Sequence, residues 1–257
     1  MVNSQKLVLV TGADGFIGSH LAEALVKDGY SVKALVQYNS MGTWGWLESV
    51  EKDILEELEI VSSDIRDPYM MNKISTNCNC ILHLAALIAI PYSYAAPYQY
   101  IETNVLGTLN VLKACQKNSV KKIVYTASSS CYGIPKKFPT SEKENILTEY
   151  PYALTKRLGE ELLLHWSKVY RINVTSLRLF NVYGTRSRTS GTYGAMFGVF
   201  LAQKIRKKPF TVVGNGNQKR DFTYISDVID AIIKASRLKK NQLIINIGSG
   251  KCYSVNY

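Results

Sequence analysis

The chain has 257 residues, 46% of them hydrophobic, and a formal net charge of +11 from 31 Lys and Arg against 20 Asp and Glu. This composition supports one sizeable core, and no apolar run approaches the roughly 20 residues needed to cross a bilayer. The basic residues lie in short scattered groups without an aromatic-rich RNA-binding pattern, so we expect no nucleic-acid partner. The five cysteines favour neither a disulfide framework nor a zinc site, because their number is odd and no CxxC pair occurs. We predict a cytoplasmic protein without a signal peptide, a membrane association or a metal.

Short β-rich runs alternate with stretches of helical periodicity through the first two thirds of the chain. Strands are predicted at residues 6–12, 31–36, 58–64, 78–86, 121–128 and 173–179. Helices are predicted at residues 16–29, at about 98–117 and at about 151–170. Strands that are apolar throughout and separated by helices indicate a parallel sheet covered on both faces. The predicted fold class is therefore α/β, with a Rossmann-type doubly wound parallel sheet.

Beyond about residue 180 the sequence becomes richer in Gly, Ser and Thr. The elements predicted there are a helix at 195–208, short strands at 210–214 and 221–225, a helix from Ser226 and a strand at 243–250. We interpret this region as a smaller C-terminal lobe folded over the main one. The predicted division is a Rossmann-type domain at 1–178 and a smaller lobe at 179–257, interleaved with the first. We also expect further chain beyond Tyr257, because the last strand leads towards another element.

The stretch VTGADGFIG places Gly12, Gly15 and Gly18 between the first strand and the first helix. Glycines at these positions permit a tight turn and let a pyrophosphate approach the backbone N–H groups at the start of the helix. The spacing is weak evidence alone. At the first strand–helix junction of a βαβ series, however, it predicts a dinucleotide-binding loop.

The second strand lacks the acid that normally binds the adenosine ribose hydroxyls. Val36 and Gln37 stand where this acid is expected, and no arginine is there to receive a 2′-phosphate. The sequence therefore favours NAD but leaves NADP open. Asp64, which ends the third strand, is placed either to reach the adenine or to serve as a turn or helix-cap residue.

Tyr152 and Lys156 lie four residues apart in YPYALTKRLGEELL, on one face of a predicted helix. A lysine ammonium beside a phenol, with a positive nicotinamide close by, favours the phenolate and lowers the phenol pKa from about 10. This arrangement predicts that Tyr152 is a proton acceptor near neutral pH. The pair follows the fifth strand and the serine run that starts at Ser128, with a dinucleotide loop upstream.

Together these motifs resemble the extended short-chain dehydrogenase/reductase family, specifically its nucleotide-sugar epimerase and dehydratase branch. The likeness covers essentially the whole chain and rests on TGADGFIG, HLAA at 83–86, TNVLGTLNVL at 103–112, SSSCYG at 128–133, YALTK at 152–156, RLFNVYG at 178–184 and RDFTYISDV at 220–228. It implies NAD as the cofactor and a nucleotide-diphosphate sugar as the substrate. It also implies a homodimer formed by the two long helices, although their periodicity alone suits packing on the sheet equally well.

The resemblance implies roles for individual residues. Ser128 would bind the sugar hydroxyl and shuttle its proton, Tyr152 would be the acid and base, and Lys156 would also hold the nicotinamide ribose. Besides Tyr152 and Lys156, the implied cofactor-binding residues are Gly12, Gly15, Phe16, Ile17, Gly18, Asp64, Ile65, Leu84, Ala85, Ala86 and Asn104. The implied substrate-binding residues are Ser93, Tyr94, Ser129, Ser130, Asn181 and Arg220, the last two on the diphosphate.

The serine run at 128–130 bears on the type of reaction. In the 4,6-dehydratases and related decarboxylases of the family, the hydroxyl residue begins a T-S-E or T-D-E run, whose acid abstracts a proton next to the transient ketone. Here Ser129 and Ser130 follow Ser128, so no carboxylate stands at that position. We therefore predict C4 epimerisation of a UDP-hexose or UDP-N-acetylhexosamine by transient oxidation to the 4-keto sugar.

Two alternatives stay open. The N-terminal half, with YNS, WGWL and HLAALIAIPYSY, resembles the 4,6-dehydratases of nonulosonic acid pathways. Such a dehydratase, or a related reductase, would need an acid from elsewhere, such as Glu102 or a residue of the substrate lobe. The remote alternative is a dinucleotide-binding protein without catalysis, and the intact set of Ser128, Tyr152 and Lys156 argues against it.

Overall fold

The computed structural model describes residues 6–189 and 196–257. The strands among these residues are β1 (Leu7–Thr11), β2 (Ser31–Gln37), β3 (Leu58–Ser63), β4 (Cys80–His83), β5 (Lys122–Ser128), β6 (Asn173–Leu179), β7 (Asn181–Tyr183), β8 (Lys219–Tyr224), β9 (Leu243–Ile247) and β10 (Cys252–Ser254). Seven of them form a parallel sheet in the order β3-β2-β1-β4-β5-β6-β9. The other three form a small sheet in the order β10-β8-β7.

The helices connect these strands and cover the large sheet. They are α1 (Phe16–Lys27), α2 (Lys52–Glu56), α3 (Pro68–Ile74), α4 (Ile90–Ala95), α5 (Pro97–Tyr100), α6 (Gly107–Lys117), α7 (Pro151–Tyr170), α8 (Met196–Ile205) and α9 (Ile225–Arg237). A π-helical segment, Ile101–Leu106, joins α5 to α6, so the helix predicted at about 98–117 is built from three pieces. No helix in the described part of the chain is both long and apolar enough to cross a membrane.

The core consists of two apolar clusters, one on each face of the large sheet. Side chains of α1 and α9, including Leu25 and Val228, pack with Val10 on one face. Side chains of α3, α6 and α7, including Leu112, pack with Leu9 on the other. Neighbouring residues of β1 enter different clusters because successive strand side chains point to opposite faces. This two-sided burial explains the continuously apolar strands and confirms the predicted doubly wound fold.

Two predicted strands of the C-terminal region differ in the structure. Residues 210–214 form no strand, because the Thr211 N–H donates to the side chain of Gln203 on α8 and the nearby Val213 stays exposed. Strand β9, which we had assigned to the smaller lobe, pairs with β6 and is the seventh strand of the main sheet. Elements from beyond residue 179 therefore belong to the main sheet and its core, and α9 packs there as well.

Candidate active site

The three predicted catalytic residues come together at the carboxyl edge of the main sheet. Ser128 is the last residue of β5, whereas Tyr152 and Lys156 belong to the first two turns of α7. The hydroxyl of Tyr152 is hydrogen-bonded to Ser128. The ring of Tyr100 packs edge-on against the Tyr152 ring, with 6.4 Å between their centroids. The end of β5 and the first turn of α7 thus bring the hydroxyls of Ser128 and Tyr152 together.

Lys156 is buried, and its ammonium lies 4.3 Å from the centroid of the Tyr125 ring. Burial lowers the pKa of Lys156 to about 7, and the nearby Glu160 carboxylate only partly opposes this effect. The Tyr125 hydroxyl donates to the Lys156 carbonyl oxygen at 3.3 Å. Tyr125 therefore holds the lysine at both its backbone and its side chain.

The predicted lowering of the Tyr152 pKa is not what the protein groups alone produce. Burial raises the pKa of Tyr152 to about 12, and the hydrogen bond with Ser128 opposes this rise without cancelling it. Lys156 is not among the groups that lower it, because its own pKa of about 7 leaves the amine neutral in the range where the phenol titrates. The prediction included a positive nicotinamide beside Tyr152, so it stays a prediction for the cofactor-bound protein, and the cost of burying a phenolate is the effect that it left out.

The serine run turns directly from β5 into a short 3₁₀ helix, Ser129–Tyr132. The Ser130 N–H donates to the Ser128 Oγ at 3.2 Å, and the two hydroxyls are 2.7 Å apart. In the described part of the chain, no carboxylate is hydrogen-bonded to Ser128, Ser130 or Tyr152. The acid considered as a substitute, Glu102, instead lies 3.8 Å from an Arg66 nitrogen.

The glycine loop has the shape that a dinucleotide pyrophosphate requires. Gly12 has a φ of +72°, and a Cβ there would lie 2.9 Å from the Ala85 Cα, so both conformation and space demand glycine. A Cβ at Gly18 would collide with the Gly12 carbonyl oxygen. Helix α1 begins after Gly15 without a side-chain cap, which leaves the N–H groups of its first turn to a ligand. Phe16 and Ile17 form that first turn. These features fit the predicted cofactor.

The neighbouring strand ends supply the rest of this surface. The N–H groups of Leu84 and Ala85 donate to the Thr11 hydroxyl, which fixes the backbone that leads to Ala86. The Asp64 carboxylate accepts hydrogen bonds from the backbone N–H and guanidinium of Arg66 and is a turn residue in this structure. A role for Asp64 at the adenine stays a prediction.

Two further predicted cofactor-binding residues, Ile65 and Asn104, make contacts within the protein itself. Ile65 is buried, and a Cβ at Gly107 would lie 2.6 Å from its Cδ1. Asn104 accepts from the Leu87 N–H at 2.8 Å and donates to the Leu87 carbonyl and to the Thr155 hydroxyl, both at 3.0 Å. Asn104 therefore fastens the loop after β4 to α7. Cofactor binding by Ile65 and Asn104 stays a prediction.

The predicted substrate residues lie in three places. Ser129 and Ser130 adjoin the catalytic hydroxyls, and Tyr94 is an exposed residue of α4. Ser93 is buried, and its hydroxyl donates to the Ile90 carbonyl at 2.6 Å, so this hydroxyl serves α4 itself. Asn181 and Arg220 are exposed residues of β7 and β8 in the small sheet. The Asn181 amide donates to the Asp221 carbonyl, and Arg220 donates to the Lys219 carbonyl.

Sequence reasoning missed Tyr125 because it lies inside an apolar strand, where its ring reads as core. The signal was present in Gly159 of α7, since a Cβ there would collide with the Tyr125 hydroxyl. His83 is a buried neighbour with hydrogen bonds to the Thr11 and Thr108 hydroxyls. Burial lowers the pKa of His83 to about 3, so it is neutral and packed rather than a base.

The Rossmann-type sheet, the glycine loop and the Ser128–Tyr152–Lys156 set define a dinucleotide-dependent enzyme of the short-chain dehydrogenase/reductase class. The chain belongs to the NAD dependent epimerase/dehydratase family, whose model matches residues 8–248. This membership confirms the predicted family, the enzyme class and NAD as the cofactor.

Individual relatives agree with this assignment. A putative UDP-glucose 4-epimerase of Methanocaldococcus jannaschii is 35% identical over 97% of this chain and 79% of its own length. The UDP-N-acetyl-alpha-D-glucosaminuronate decarboxylase of Bacillus cytotoxicus is 34% identical over 95% of this chain and 75% of its own length. The structure of a UDP-N-acetylglucosamine 4-epimerase from Methanobrevibacter ruminantium, in complex with UDP-N-acetylmuramic acid, has a TM-score of 0.91 and 33% identity, covering 98% of this chain and 79% of that one.

Proposed function

We propose that this protein is an NAD-dependent nucleotide-sugar 4-epimerase acting on a UDP-hexose or UDP-N-acetylhexosamine. The observation that carries this proposal is the hydroxyl of Ser130, 2.7 Å from the Ser128 Oγ, at the position where dehydration needs a carboxylate. Epimerisation needs only oxidation at C4, rotation of the sugar and return of the hydride. The similarity to UDP-sugar 4-epimerases over nearly the whole chain supports the same reaction.

Bound NAD supplies the acceptor and later the donor of the C4 hydride. The protein supplies orientation and proton transfer. Tyr152, as phenolate, takes the proton of the C4 hydroxyl through Ser128 and returns it when the sugar is reduced on its other face. Lys156 in its ammonium form favours the phenolate and holds the nicotinamide ribose. The glycine loop and the start of α1 hold the pyrophosphate.

The directions of the hydrogen bonds among Ser130, Ser128 and Tyr152 depend on whether Tyr152 carries the proton. The Ser128 hydroxyl has one donor proton and two acceptor positions. Before the sugar binds, the Ser130 N–H occupies one acceptor position, and the proton and the other position are shared between Tyr152 and the Ser130 hydroxyl. The C4 hydroxyl of a bound sugar would take the acceptor position that the Ser130 hydroxyl uses. When Tyr152 is a phenolate, Ser130 donates to Ser128 and Ser128 donates to Tyr152. When Tyr152 is a phenol, both hydrogen bonds reverse.

A 4,6-dehydratase is the competing proposal, and the described residues offer it little support. Its best substitute acid, Glu102, faces Arg66 rather than the serine run.

We propose that the small sheet provides the substrate-binding part of residues 179–257, with Asn181 and Arg220 on the diphosphate. Both side chains are exposed at strands that follow the main sheet, and a guanidinium suits phosphate oxygens. Asn181→Ala and Arg220→Met should each raise KM for the nucleotide sugar and leave NAD retention unchanged. An unchanged KM in both variants would place the diphosphate elsewhere.

We also propose a homodimer formed by the π-helical segment and α7. Ile101, Leu106 and Leu154 are exposed apolar residues of these elements. A shallow groove between the two elements adds apolar area and is lined by Val105, Leu158, Glu161, Leu162 and His165. Desolvating such a surface against its copy would stabilise a pair of chains.

A cytoplasmic location is proposed because all five cysteines are free and four of them are buried. Unpaired cysteines are typical of proteins in a reducing compartment. Cell fractionation that recovers the protein outside the cytoplasm would contradict this location.

The experiment that tests the proposed reaction incubates the purified protein and NAD with UDP-glucose or UDP-N-acetylglucosamine and follows the sugar by proton NMR. We expect the C4 epimer to appear. Tyr152→Phe should slow the conversion by about 100-fold or more, because it removes the acid and base. Tyr170→Phe, at the exposed end of the same helix, is the matched control and should convert normally. Unchanged sugars with intact cofactor, or a 4-keto-6-deoxy product, would overturn the proposal.

A further inference from the structure

The end of β2 poses a problem for cofactor recognition that its own residues do not solve. Val36 is fully buried in the apolar core, and the exposed Gln37 ends the strand without a charge. An acid at this strand end normally binds the adenosine ribose hydroxyls and repels a 2′-phosphate. The family nevertheless uses NAD. A carboxylate from another element at this edge would supply the charge that β2 lacks.

Asp14, in the middle of the glycine loop, brings a carboxylate to the same place. Its Oδ2 accepts a hydrogen bond from the Gln37 N–H at 3.3 Å, which ties it to the last residue of β2. The turn after β2 packs against the Asp14 backbone, since the Trp46 N–H donates to the Asp14 carbonyl oxygen at 3.0 Å. Gly45, with a φ of +58°, makes this approach possible, because a Cβ there would lie 2.6 Å from that oxygen.

The electrostatic setting of Asp14 is unusual for a structural carboxylate. Among the described residues, no lysine or arginine forms an ion pair with it. Burial raises its pKa, and the hydrogen bond from the Gln37 N–H only partly opposes the rise. A half-buried carboxylate without a cation costs free energy of folding, and such groups cluster where a ligand is bound.

We infer that Asp14 replaces the missing acid of β2, binding the 2′-hydroxyl of the adenosine ribose and excluding the 2′-phosphate of NADP. This inference deepens the proposed function and depends on it only for the choice of cofactor. The two ribose hydroxyls are neutral donors for a carboxylate oxygen, whereas a phosphate would place at least one more negative charge against Asp14. The glycine loop rather than β2 then supplies the carboxylate, which accepts the same hydrogen bond from the ribose.

The test measures bound nucleotide without any sugar substrate. The full-length protein is dialysed against an equimolar mixture of NAD and NADP, and the retained nucleotides are released by denaturation and quantified by chromatography. We expect the unaltered protein to retain NAD in clear excess. Asp14→Asn should lower the NAD:NADP ratio by about tenfold or more, because it removes the charge but keeps an acceptor for the Gln37 N–H. Asp14→Ser is the second variant, in case the first does not fold.

The control is Asp28→Asn, which removes a carboxylate just beyond the C-terminal end of α1, at the opposite end of this helix from the glycine loop. It should leave the ratio unchanged, because Asp28 is paired with Arg237. An unchanged ratio in the folded Asp14 variants would overturn the inference, as would equal retention of both cofactors by the unaltered protein. Epimerisation is assayed separately, so NAD selectivity without sugar conversion would contradict only the proposed reaction.

Discussion

At the scale of single residues, loss of water shifts Tyr152 and Lys156 in opposite directions. It raises the pKa of the phenol to about 12 and lowers that of the amine to about 7. Both shifts favour the neutral forms, so both side chains are uncharged between about pH 7 and pH 12. A cationic ligand group beside Tyr152 would favour the phenolate that the reaction needs.

Lys156 should make the stability of the cofactor-free protein depend on pH. Its folded pKa of about 7 lies below the unfolded value of 10.5, so the unfolded chain binds more protons between these values. The free energy of unfolding therefore rises with pH across this window. Lys156→Met should be more stable than the unaltered protein at about pH 6, by at most about 5 kcal/mol, and the difference should disappear by about pH 10. Urea unfolding at the two pH values measures this.

Lys122 provides the matched control for that experiment. It is also buried, but its ammonium donates to the Asn173 and Thr175 side chains at 2.8 Å and to the Leu238 carbonyl at 3.1 Å. Lys122→Met strands these three acceptors and should lower the free energy of unfolding at both pH values. If Lys156→Met behaved in the same way, Lys156 would have a structural role and the stated pKa shift would be wrong.

The Ser130 hydroxyl should stabilise the phenolate form of Tyr152, which is the base of the proposed reaction. Ser130→Ala removes the donor that supports Ser128 when Ser128 donates to the Tyr152 phenolate. We expect kcat to fall about three- to tenfold, the worth of one hydrogen bond, and the acidic limb of the kcat/KM profile to move to higher pH. Ser129→Ala should change neither quantity. Equal effects of the two substitutions would show that the serine run acts only through local structure.

At this scale the sequence predicted where Ser128, Tyr152 and Lys156 meet better than it predicted their electrostatics. The spacing of Ser128, Tyr152 and Lys156 sufficed because a strand end and one helical face define their meeting point. Tyr125 and Asp14 could not be assigned in the same way. Their roles depend on which strand neighbours which, and on the turn that packs over the glycine loop.

At the scale of secondary-structure elements, a buried ion pair positions α7. Glu160, one turn after Lys156, accepts from the Arg178 guanidinium of β6 at 2.6 Å and from the Ser176 hydroxyl at 2.6 Å. Arg178 also donates to the Tyr132 hydroxyl, which in turn donates to Asn246 of β9. Burial alone would raise the pKa of Glu160, but its hydrogen bonds outweigh burial and lower it. The network joins the catalytic helix to β6, to the 3₁₀ helix after β5 and to β9.

Breaking this pair on one side should be costly. Glu160→Met leaves the Arg178 charge buried without its partner and should lower the free energy of unfolding by about 3–5 kcal/mol. Adding Arg178→Met should recover most of that loss, since a buried pair contributes little net stability once both charges are gone. Denaturant unfolding of the single and double variants provides the measurement. A double variant as unstable as Glu160→Met would show that the loss came from packing rather than charge.

Element prediction failed where pairing partners decide the outcome. Residues 210–214 have the composition of a strand, but a side chain of α8 takes the Thr211 N–H. Strand β9 was recognised from its apolar residues, yet its place beside β6 depends on a long return of the chain that local sequence does not encode. Helix α7 was predicted to its ends because periodicity and Pro151 are local signals.

At the scale of the whole molecule, the proposed dimer requires that the exposed apolar surface of α7 be buried between two chains. Leu154→Glu places a charge on the exposed apolar surface of α7 and should convert dimers to monomers, since a buried unpaired carboxylate is unfavourable. Leu201→Glu, on the exposed part of α8, is the control and should leave the mass unchanged. Sedimentation equilibrium reports both. A Leu154→Glu variant that remains dimeric would place the interface elsewhere, and an unaltered protein that is monomeric would exclude the dimer.

The most direct test of the central claim is the reaction run in D₂O with UDP-glucose or UDP-N-acetylglucosamine and read by proton NMR. In a 4-epimerase the C4 hydrogen travels as a hydride, and no carbon-bound proton is exposed to Tyr152 or to solvent. We therefore predict a C4 epimer that keeps protium at both C4 and C5. A 4-keto-6-deoxy sugar carrying deuterium at C5 would contradict the account, because it would require the proton abstraction for which Ser130 offers no carboxylate.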